Sequence, residues 1–326
     1  MKKWYFIINP QAKNGYSLII WRKLEKVLQQ YKINYIAFFT EYKGHGKELA
    51  RTIAKKTIGQ DAVIIAVGGD GSIHDIINGA VGYSHLSIGF IPAGSGNDFA
   101  RGYSISKNPL KALEQQVLLP DEEKCIIDIG KMIAADGSEI VFVNNMGVGF
   151  DALICNKVNK SSMKKWFNRF RLGTLIYAYM LVKHLFTYRP QPMKITVDGT
   201  VHLFSATWFV TVSNQPYYGG GMKIAPNASP MDGMLNIIVV HNLSRIKLLL
   251  IFMTVFWGKH TSFKEVTNLT GHSIKMEGDI PIEAHADGEY AGHTPFVVQI
   301  NKCSLALTVD RREQIYPHSD QTKLNK

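Results

Sequence analysis

Residues 63–75 are VIIAVGGDGSIHD, and three textures follow one another within them. Val63 to Val67 is a short, β-branched apolar run, the mark of a buried strand. Gly68, Gly69, Asp70, Gly71 and Ser72 stop it abruptly. Ile73, Ile76, Ile77 and Ala80 then resume apolar spacing at a helical period. The pattern is strand, glycine turn, helix. Such a turn brings N–H groups to a helix N-terminus, which favours an anion such as phosphate. Glycines let a ligand approach the main chain closely. Asp70 is a carboxylate set among them. Beside a polyphosphate it makes sense if a divalent cation lies between the two, or if it manages a proton. Taken alone, the stretch equally suits a tight strand-to-helix turn with Asp70 capping the helix.

A second stretch changes the balance. Ser87 to Ile91 is another short apolar strand, and PAGSGNDFAR follows at 92–101. Two consecutive strands therefore end in polar, glycine-rich turns. In an open parallel sheet both ends lie on one edge, where ligands bind.

Together, GGDGS at 68–72 and IPAGSGNDFAR at 91–101 resemble the catalytic domain of the diacylglycerol kinase family. More narrowly, they resemble the soluble bacterial lipid kinases, relatives of the sphingosine kinases. The GGDG turn also occurs in NAD kinases and 6-phosphofructokinases, so the first motif gives a superfamily and the second points to lipid kinases. The resemblance runs through most of the chain. It is strongest from Asn9 to Arg101 and at two later motifs.

The resemblance implies an ATP site in the first half. Asn9, Pro10, Gln11, Ala12 and Lys13 match the family's first nucleotide motif, with Lys13 where Gly is common. Thr40 matches a nucleotide-contacting Thr at a strand end. Gly68, Gly69, Asp70, Gly71 and Ser72 form the central turn, where Ser72 keeps the hydroxyl of the usual Thr, and Ile73, His74 and Asp75 follow in the helix, His74 as either a nucleotide contact or a surface helix residue. Ser95, Asn97 and Asp98 complete the set in the second turn.

The chain has 326 residues, enough for two domains. Net charge is +11, from 37 Lys and Arg against 26 Asp and Glu, which suits an anionic partner. Nucleotide, nucleic acid and an anionic membrane all qualify. The cations are dispersed and no nucleic-acid motif appears, so no nucleic-acid partner is expected. Cys125, Cys155 and Cys303 are far apart and in no metal-type spacing, and are expected to be reduced core residues of a cytosolic protein. The apolar part of MKKWYFIINP is too short for a signal peptide. Ile246 to Trp257 is the longest apolar run and too short to span a bilayer. The expected place is the cytoplasm, peripheral to a membrane.

Strand, turn and helix alternate up to about residue 120, which predicts a parallel, doubly wound α/β nucleotide domain over 1–125. From 126 to 310 many short β-rich runs predict an antiparallel β-sandwich, the lipid-acceptor domain. Its last strands are candidates to return to the first domain. Residues 311–326 form a polar tail.

Two features interrupt the β pattern. Lys157 to Tyr188 mixes Lys160, Lys164, Lys165, Arg169 and Arg171 with Trp166, Phe167 and Phe170, then turns apolar at helical spacing. Basic residues interleaved with aromatics suit an anionic membrane interface over 160–171, and the later part suits a helix packed on the β domain. Ser244 to Lys259 is an apolar helix, expected to be core or else a wall of a lipid cleft.

Two late motifs carry chemistry. Ala225 to Leu235 resembles the family's PxAxxxDGxL segment, where a structural Mg²⁺ site is implied. The matching positions are Ser229, Asp232 and Met234, the Ser and Met through carbonyls. Met231 and Asn236 stand where acidic residues are frequent, and a simple Asp-Gly turn is the alternative. His285-Ala286-Asp287-Gly288-Glu289-Tyr290 resembles the family's DGE motif. In an extended chain Asp287 and Glu289 would share a face. A lipid hydroxyl must lose its proton as the phosphoryl group arrives, and a carboxylate in reach accepts it. The resemblance places that task in this motif. Glu289 is the expected acceptor, with Asp287 supporting it and Asp70 organising Mg²⁺ and the phosphates.

The expected activity is transfer of the γ-phosphoryl group of ATP to a lipid hydroxyl, diacylglycerol first, giving phosphatidate. A kinase of a soluble acceptor such as NAD is the nearest rival, and GSGNDFAR with the apolar second half argues against it. An inactive lipid-binding protein is the other. The presence of Asp70, Asp98, Asp232, Asp287 and Glu289 argues against that one. The resemblance also implies a homodimer.

Overall fold

β1 (Lys3–Ile8), β2 (Tyr35–Phe39), β3 (Ala62–Gly68) and β4 (Leu86–Pro92) form a parallel sheet in the order β2-β1-β3-β4. The structure is a computed structural model, which describes residues 2–118, 124–161 and 175–310. α1 (Tyr16–Gln30), α2 (His45–Lys56) and α3 (Asp70–Ala80) connect these strands. Side chains alternate along a strand, so each strand feeds two cores. Tyr5, Ile7, Ile64 and Phe90 pack with Ile53 of α2 and Ile76 of α3. Phe6, Ile8, Ile65 and Val67 pack with Trp21, Leu24 and Leu28 of α1 on the other face. Every residue of β3 is buried, which is why its sequence is an unbroken apolar run. Each of its Val and Ile side chains contributes roughly 1.5–3 kcal/mol on burial. This is the doubly wound α/β sheet that the strand–helix alternation predicts.

α4 (Asp98–Gly102) and α5 (Pro109–Leu113) follow. Asn108 starts α5, its Oδ1 accepting from Leu110 N at 3.0 Å. The chain then turns antiparallel. β5 (Lys124–Ala134), β6 (Glu139–Phe142) and β7 (Asn145–Gly149) lead into α6 (Phe150–Lys160). α7 (Leu175–Leu185), β8 (Gln191–Val197), β9 (Thr200–Ser213) and the short β10 (Tyr217–Tyr218) and β11 (Met222–Lys223) come next. β12 (Leu235–His241), α8 (Arg245–Thr254), β13 (Val266–Gly271), β14 (Ser273–Gly278), β15 (Glu283–Ala286), β16 (Glu289–His293) and β17 (Phe296–Asp310) complete the order.

The second half is an antiparallel β-sandwich-like domain. β9 pairs with β7, β8 and β12, β15 with β7 and β16, and β14 with β8 and β17. Met146, Val148, Val212, Ile237, Val239 and Ile274 fill its interior. The opposite face of β12, Ile238 and Val240, lies under Phe150 and Ile154 of α6 and Leu248 and Ile251 of α8.

β17 joins the two sheets. Its first residues pair with β14, while Leu307 pairs in parallel with Ile88 of β4. Its register against β5 shifts between Asn301 and Leu305, where Cys303 has φ 48°. The two apolar runs 295–300 and 305–309 are therefore one strand. Cys303 is exposed at this bulge rather than in the core, whereas Cys125 and Cys155 are buried. β13 escapes the sequence pattern because its exposed positions, Asn268 and Thr270, are polar and Thr267 interrupts the other face.

α8 corrects another expectation. It is not core throughout: Leu248 and Ile251 are buried, but Ile246, Leu250 and Met253 are exposed. Of the basic, aromatic stretch, Lys164, Lys165, Trp166, Phe167, Arg169, Phe170 and Arg171 lie outside the described residues, as does the tail from 311.

Candidate active site

The turns after β3 and β4 touch main chain to main chain. A Cβ on Gly94 would lie 2.4 Å from Gly69 Cα, and one on Gly68 would lie 2.3 Å from Ser72 Oγ. Ala93 N donates to Gly68 O at 2.7 Å. No side chain fits between the turns, so the glycines are required by the approach itself. Asp70 opens α3 but does not cap it, since Gly69 holds the cap position without a side-chain bond. Asp70 Oδ1 instead accepts from Phe99 N at 2.9 Å, at the head of α4. Burial, and next the charge of Asp98, push its carboxyl up to about 6.

Asp98 ties this edge to the second domain. Its Oδ2 accepts from Gly220 N at 2.7 Å, and its Oδ1 pairs with Arg101. Arg101 lies over the Tyr217 ring, 5.7 Å from the centroid. Burial pushes the Asp98 carboxyl up, opposed by the Gly220 amide and the Arg101 charge. Asn97, at φ 56°, donates from Nδ2 to Gly94 O at 3.3 Å. Its buried Oδ1 has no hydrogen-bond partner among the described residues. Ser95 is exposed.

The first motif joins the same edge. Asn9 Nδ2 donates to Ser72 Oγ at 3.2 Å, and its Oδ1 accepts from Gln11 N at 3.0 Å. Ala12 N donates to Asn9 O at 3.1 Å, closing the turn after Pro10. Lys13 has φ 47°, the left-handed conformation that a glycine would adopt freely. Its ammonium lies 4.7 Å from the Tyr16 ring centroid. Thr40 N donates to Ile8 O at 2.9 Å, which brings Thr40 to this edge. Ile73 is fully buried in the core, so only its main chain remains for a ligand.

Asp287 and Gly288, with φ 48° and 85°, form the hairpin turn between β15 and β16. Paired positive φ values belong to a type I′ turn, not to the extended chain expected from the spacing. The two carboxylates accordingly have different surroundings. Asp287 Oδ1 accepts from Asn144 N at 2.8 Å and Asn145 N at 3.2 Å. Its Oδ2 accepts from Val143 N at 3.1 Å and meets His74 Nδ1 at 3.1 Å. Burial works against a charged His74 ring, but the Asp287 hydrogen bond, with the charges of Asp287, Glu289 and Asp75, outweighs it. The ring therefore titrates above its ordinary value. Asp75 is pushed up, first by burial, beside the Gly44 amide at the start of α2.

Glu289 faces the central turn from the other side. A Cβ on Gly71 would lie 3.3 Å from its Oε1, and Lys43 Nζ lies 2.6 Å from its Oε2. Unlike Asp287 it is partly open to solvent, at 30% of its side chain against 1%.

The later motif is built differently. Asp232 is exposed, and its Oδ1 accepts from Met234 N at 2.9 Å. Partial burial, and next the charge of Asp128, push its carboxyl up. Ser229 is half-buried in the preceding turn. Among the described residues, no three His, Cys, Asp or Glu side chains converge on one point.

Two family models match the chain. The model of the diacylglycerol kinase catalytic domain matches residues 3–131, and that of the YegS C-terminal NAD kinase beta sandwich-like domain matches residues 144–309. The chain belongs to the diacylglycerol kinase catalytic-domain family. YtlR of Bacillus subtilis (strain 168), which carries a provisional lipid-kinase name, is 33% identical over 296 residues, 91% of this chain and 96% of its own. A protein of Mycobacterium tuberculosis (strain H37Rv) named diacylglycerol kinase is 33% identical over 264 residues, 81% of this chain and 80% of its own. A crystal structure titled as a diacylglycerol kinase from Bacillus anthracis shares the fold, with TM-score 0.73 at 24% identity, covering 95% of this chain and 98% of that one. No helix among the described residues is long and apolar enough to cross a membrane.

Several residues of this family member carry no sequence signal. Lys43 sits in an ordinary polar loop. Asn144 and Asn145 act through their amides, which any residue supplies. Asp128 is buried in β5, where its Oδ2 accepts from Gly233 N at 2.7 Å and its Oδ1 from Cys303 N at 2.8 Å. An isolated Asp inside an apolar strand was the one available hint.

Proposed function

We propose that this chain transfers the γ-phosphoryl group of ATP to a lipid hydroxyl, with diacylglycerol as the acceptor and phosphatidate as the product. One observation carries the reading. Glu289, from the second half of the chain, stands over Gly71 of the glycine-rich turn after β3. A partly open carboxylate beside an anion-type turn is the arrangement a phosphoryl transfer to an alcohol needs.

The residues divide the work. Asn9 to Lys13, Thr40, the 68–72 turn and Ser95 would hold the nucleotide, the turns through N–H groups and Lys13 through charge. A bound Mg²⁺ supplies positive charge that neutralises the phosphates during transfer. Asp70 is the residue to hold it: burial and Asp98 push its carboxyl up to about 6, and a cation would relieve both. Asn97 Oδ1, buried without a partner among the described residues, is a second oxygen suited to that task. The raised carboxyl of Asp232 similarly supports a structural cation at Ser229, Asp232 and Met234.

The lipid hydroxyl oxygen forms a bond to the γ-phosphorus as the β–γ bridging bond breaks and ADP leaves. Glu289 takes the hydroxyl proton. Asp287 already accepts from three backbone amides and faces His74, so it positions rather than reacts.

The test is an assay with γ-labelled ATP against diacylglycerol, a sphingoid base, an isoprenoid alcohol, phosphatidylglycerol and NAD. Label in phosphatidate is expected. Label in NAD with none in any lipid would overturn the reading.

A further inference from the structure

We infer that the exposed face of α8 is the surface by which the protein docks on an anionic bilayer. This rests on the lipid-kinase reading, since a diacylglycerol acceptor resides in a membrane. Ile246, Leu250 and Met253 of α8, and Trp257 of the 3-10 turn that continues it (Val255–Trp257), recur at helical spacing and are between 57% and 71% exposed. Leu248, Ile251 and Val255, on the opposite side, anchor the helix in the core. The exposed stripe is roughly 17 Å long at 1.5 Å per residue. It is too short to cross a hydrocarbon core of about 30 Å, and it suits a helix lying in the interface.

α7 extends the surface. Arg245 Nε donates to Leu185 O at 3.2 Å and Nη2 to Tyr188 O at 3.3 Å, which joins the end of α7 to the start of α8. Val182 and Phe186 are exposed there.

Charge selects the occupant. Segments 175–189 and 244–264 hold Lys183, Arg189, Arg245, Lys247, Lys259 and Lys264, and no Asp or Glu. Lys247 pairs with Glu265, just outside, while Lys183, Arg189, Lys259 and Lys264 are exposed. Long basic side chains around an apolar stripe place their stems along lipid and their charges at headgroups. A second copy would bring the same cations against these, because a two-fold interface pairs a patch with itself. The bilayer is the complementary partner.

The surface also connects to chemistry. α6 packs against α7, and Asn159 of α6 donates to Gly288 O at 2.7 Å in the DGE turn. Lipid held at α7 and α8 thus lies one element away from α6, the helix that braces the turn carrying Glu289.

The test uses the full chain and two variants, Ile246→Ser/Leu250→Ser and Trp257→Ser. Flotation is measured with vesicles of phosphatidylcholine, with and without phosphatidylglycerol. Turnover is measured on a short-chain diacylglycerol dissolved in water. Wild type is expected to float with the anionic vesicles. Each lost side chain should weaken partition about tenfold, the effect of removing one large apolar group from lipid. Turnover of the soluble acceptor should be unchanged. Variants that float like wild type overturn the docking face. Variants that float like wild type and also change oligomeric state in light scattering overturn it in favour of self-association. If wild type floats and the variants do not, while no protein uses the soluble acceptor, the docking face stands and the acceptor reading fails.

Discussion

Lys43 Nζ lies 2.6 Å from Glu289 Oε2, joining the loop before α2 to the first residue of β16. The hydrogen bond to Glu289, larger than the opposing effect of burial, holds the Lys43 ammonium above its ordinary range. The lysine side chain is 82% exposed, so the pair contributes little to stability, about 0–1 kcal/mol. Its consequence is local: it holds the Glu289 carboxyl group beside the glycine turn.

Glu289→Gln is expected to lower kcat by about 10²–10⁴, the usual cost of losing a general base. The KM for ATP should hardly change, because the nucleotide residues lie on other elements. Lys43→Met should leave the melting temperature unchanged and reduce kcat less than Glu289→Gln does. Steady-state kinetics on both variants, with melting curves, check this. Full kcat in Glu289→Gln would falsify the assignment of the base.

Asp287→Asn should act on stability first. The carboxylate is buried and accepts from three amides while facing His74. An amide in its place sets an N–H against donors, a loss of about 2–4 kcal/mol. Denaturant unfolding would register it as a lower midpoint. An unchanged midpoint with lost activity would instead make Asp287 a reacting group.

The same pair predicts a pH dependence. The folded His74 ring titrates above its ordinary value of 6.5. Its contribution to stability is therefore fully present below about pH 6.5 and lost as pH rises through the raised value. His74→Asn should remove that slope. Melting curves of wild type and variant across this range are the measurement, and parallel curves would contradict it.

Asp70→Asn should abolish turnover without loss of stability at neutral pH. The folded Asp70 holds its proton to about 6, against 3.8 ordinarily. Between those values the unfolded chain has released a proton that the folded chain keeps, so stability falls as pH rises. The loss amounts to a few kcal/mol at most, since each tenfold difference in proton affinity is worth about 1.4 kcal/mol. The variant lacks this loss, so its advantage over wild type should grow from pH 4 to pH 6. Mg²⁺ should raise the melting temperature of wild type and not of the variant. A variant less stable than wild type at pH 7 would mean that the Phe99 bond outweighs the burial of charge.

Gly94→Ala should raise the KM for ATP. The new Cβ would stand 2.4 Å from Gly69 Cα, and the two turns would have to part. Glu289 lies on another element, so kcat at saturating ATP should fall less than kcat/KM. An unchanged KM would show that the contact between the turns does not shape the nucleotide site.

The sequence by itself determined the elements and their class. Apolar runs and helical spacing are local properties, so β3, α3, β4 and the glycine turns were legible as strand, turn and helix. The parallel sheet followed from their alternation, and the antiparallel half from its many short strands. What only the tertiary structure decided is what each side chain meets. Spacing placed Asp287 and Glu289 on one face of an extended chain. The positive φ pair of the hairpin instead sends one to His74 and three amides, and the other to Lys43 and Gly71. Apolarity suggested a core helix at α8, but only packing shows which stripe finds a partner, since Ile246 and Leu248 are equally apolar. Lys43 has no sequence signature, and Asp128 has only its place inside an apolar strand, because their partners lie far along the chain and only folding brings the Glu289 carboxylate to one and the Gly233 and Cys303 amides to the other.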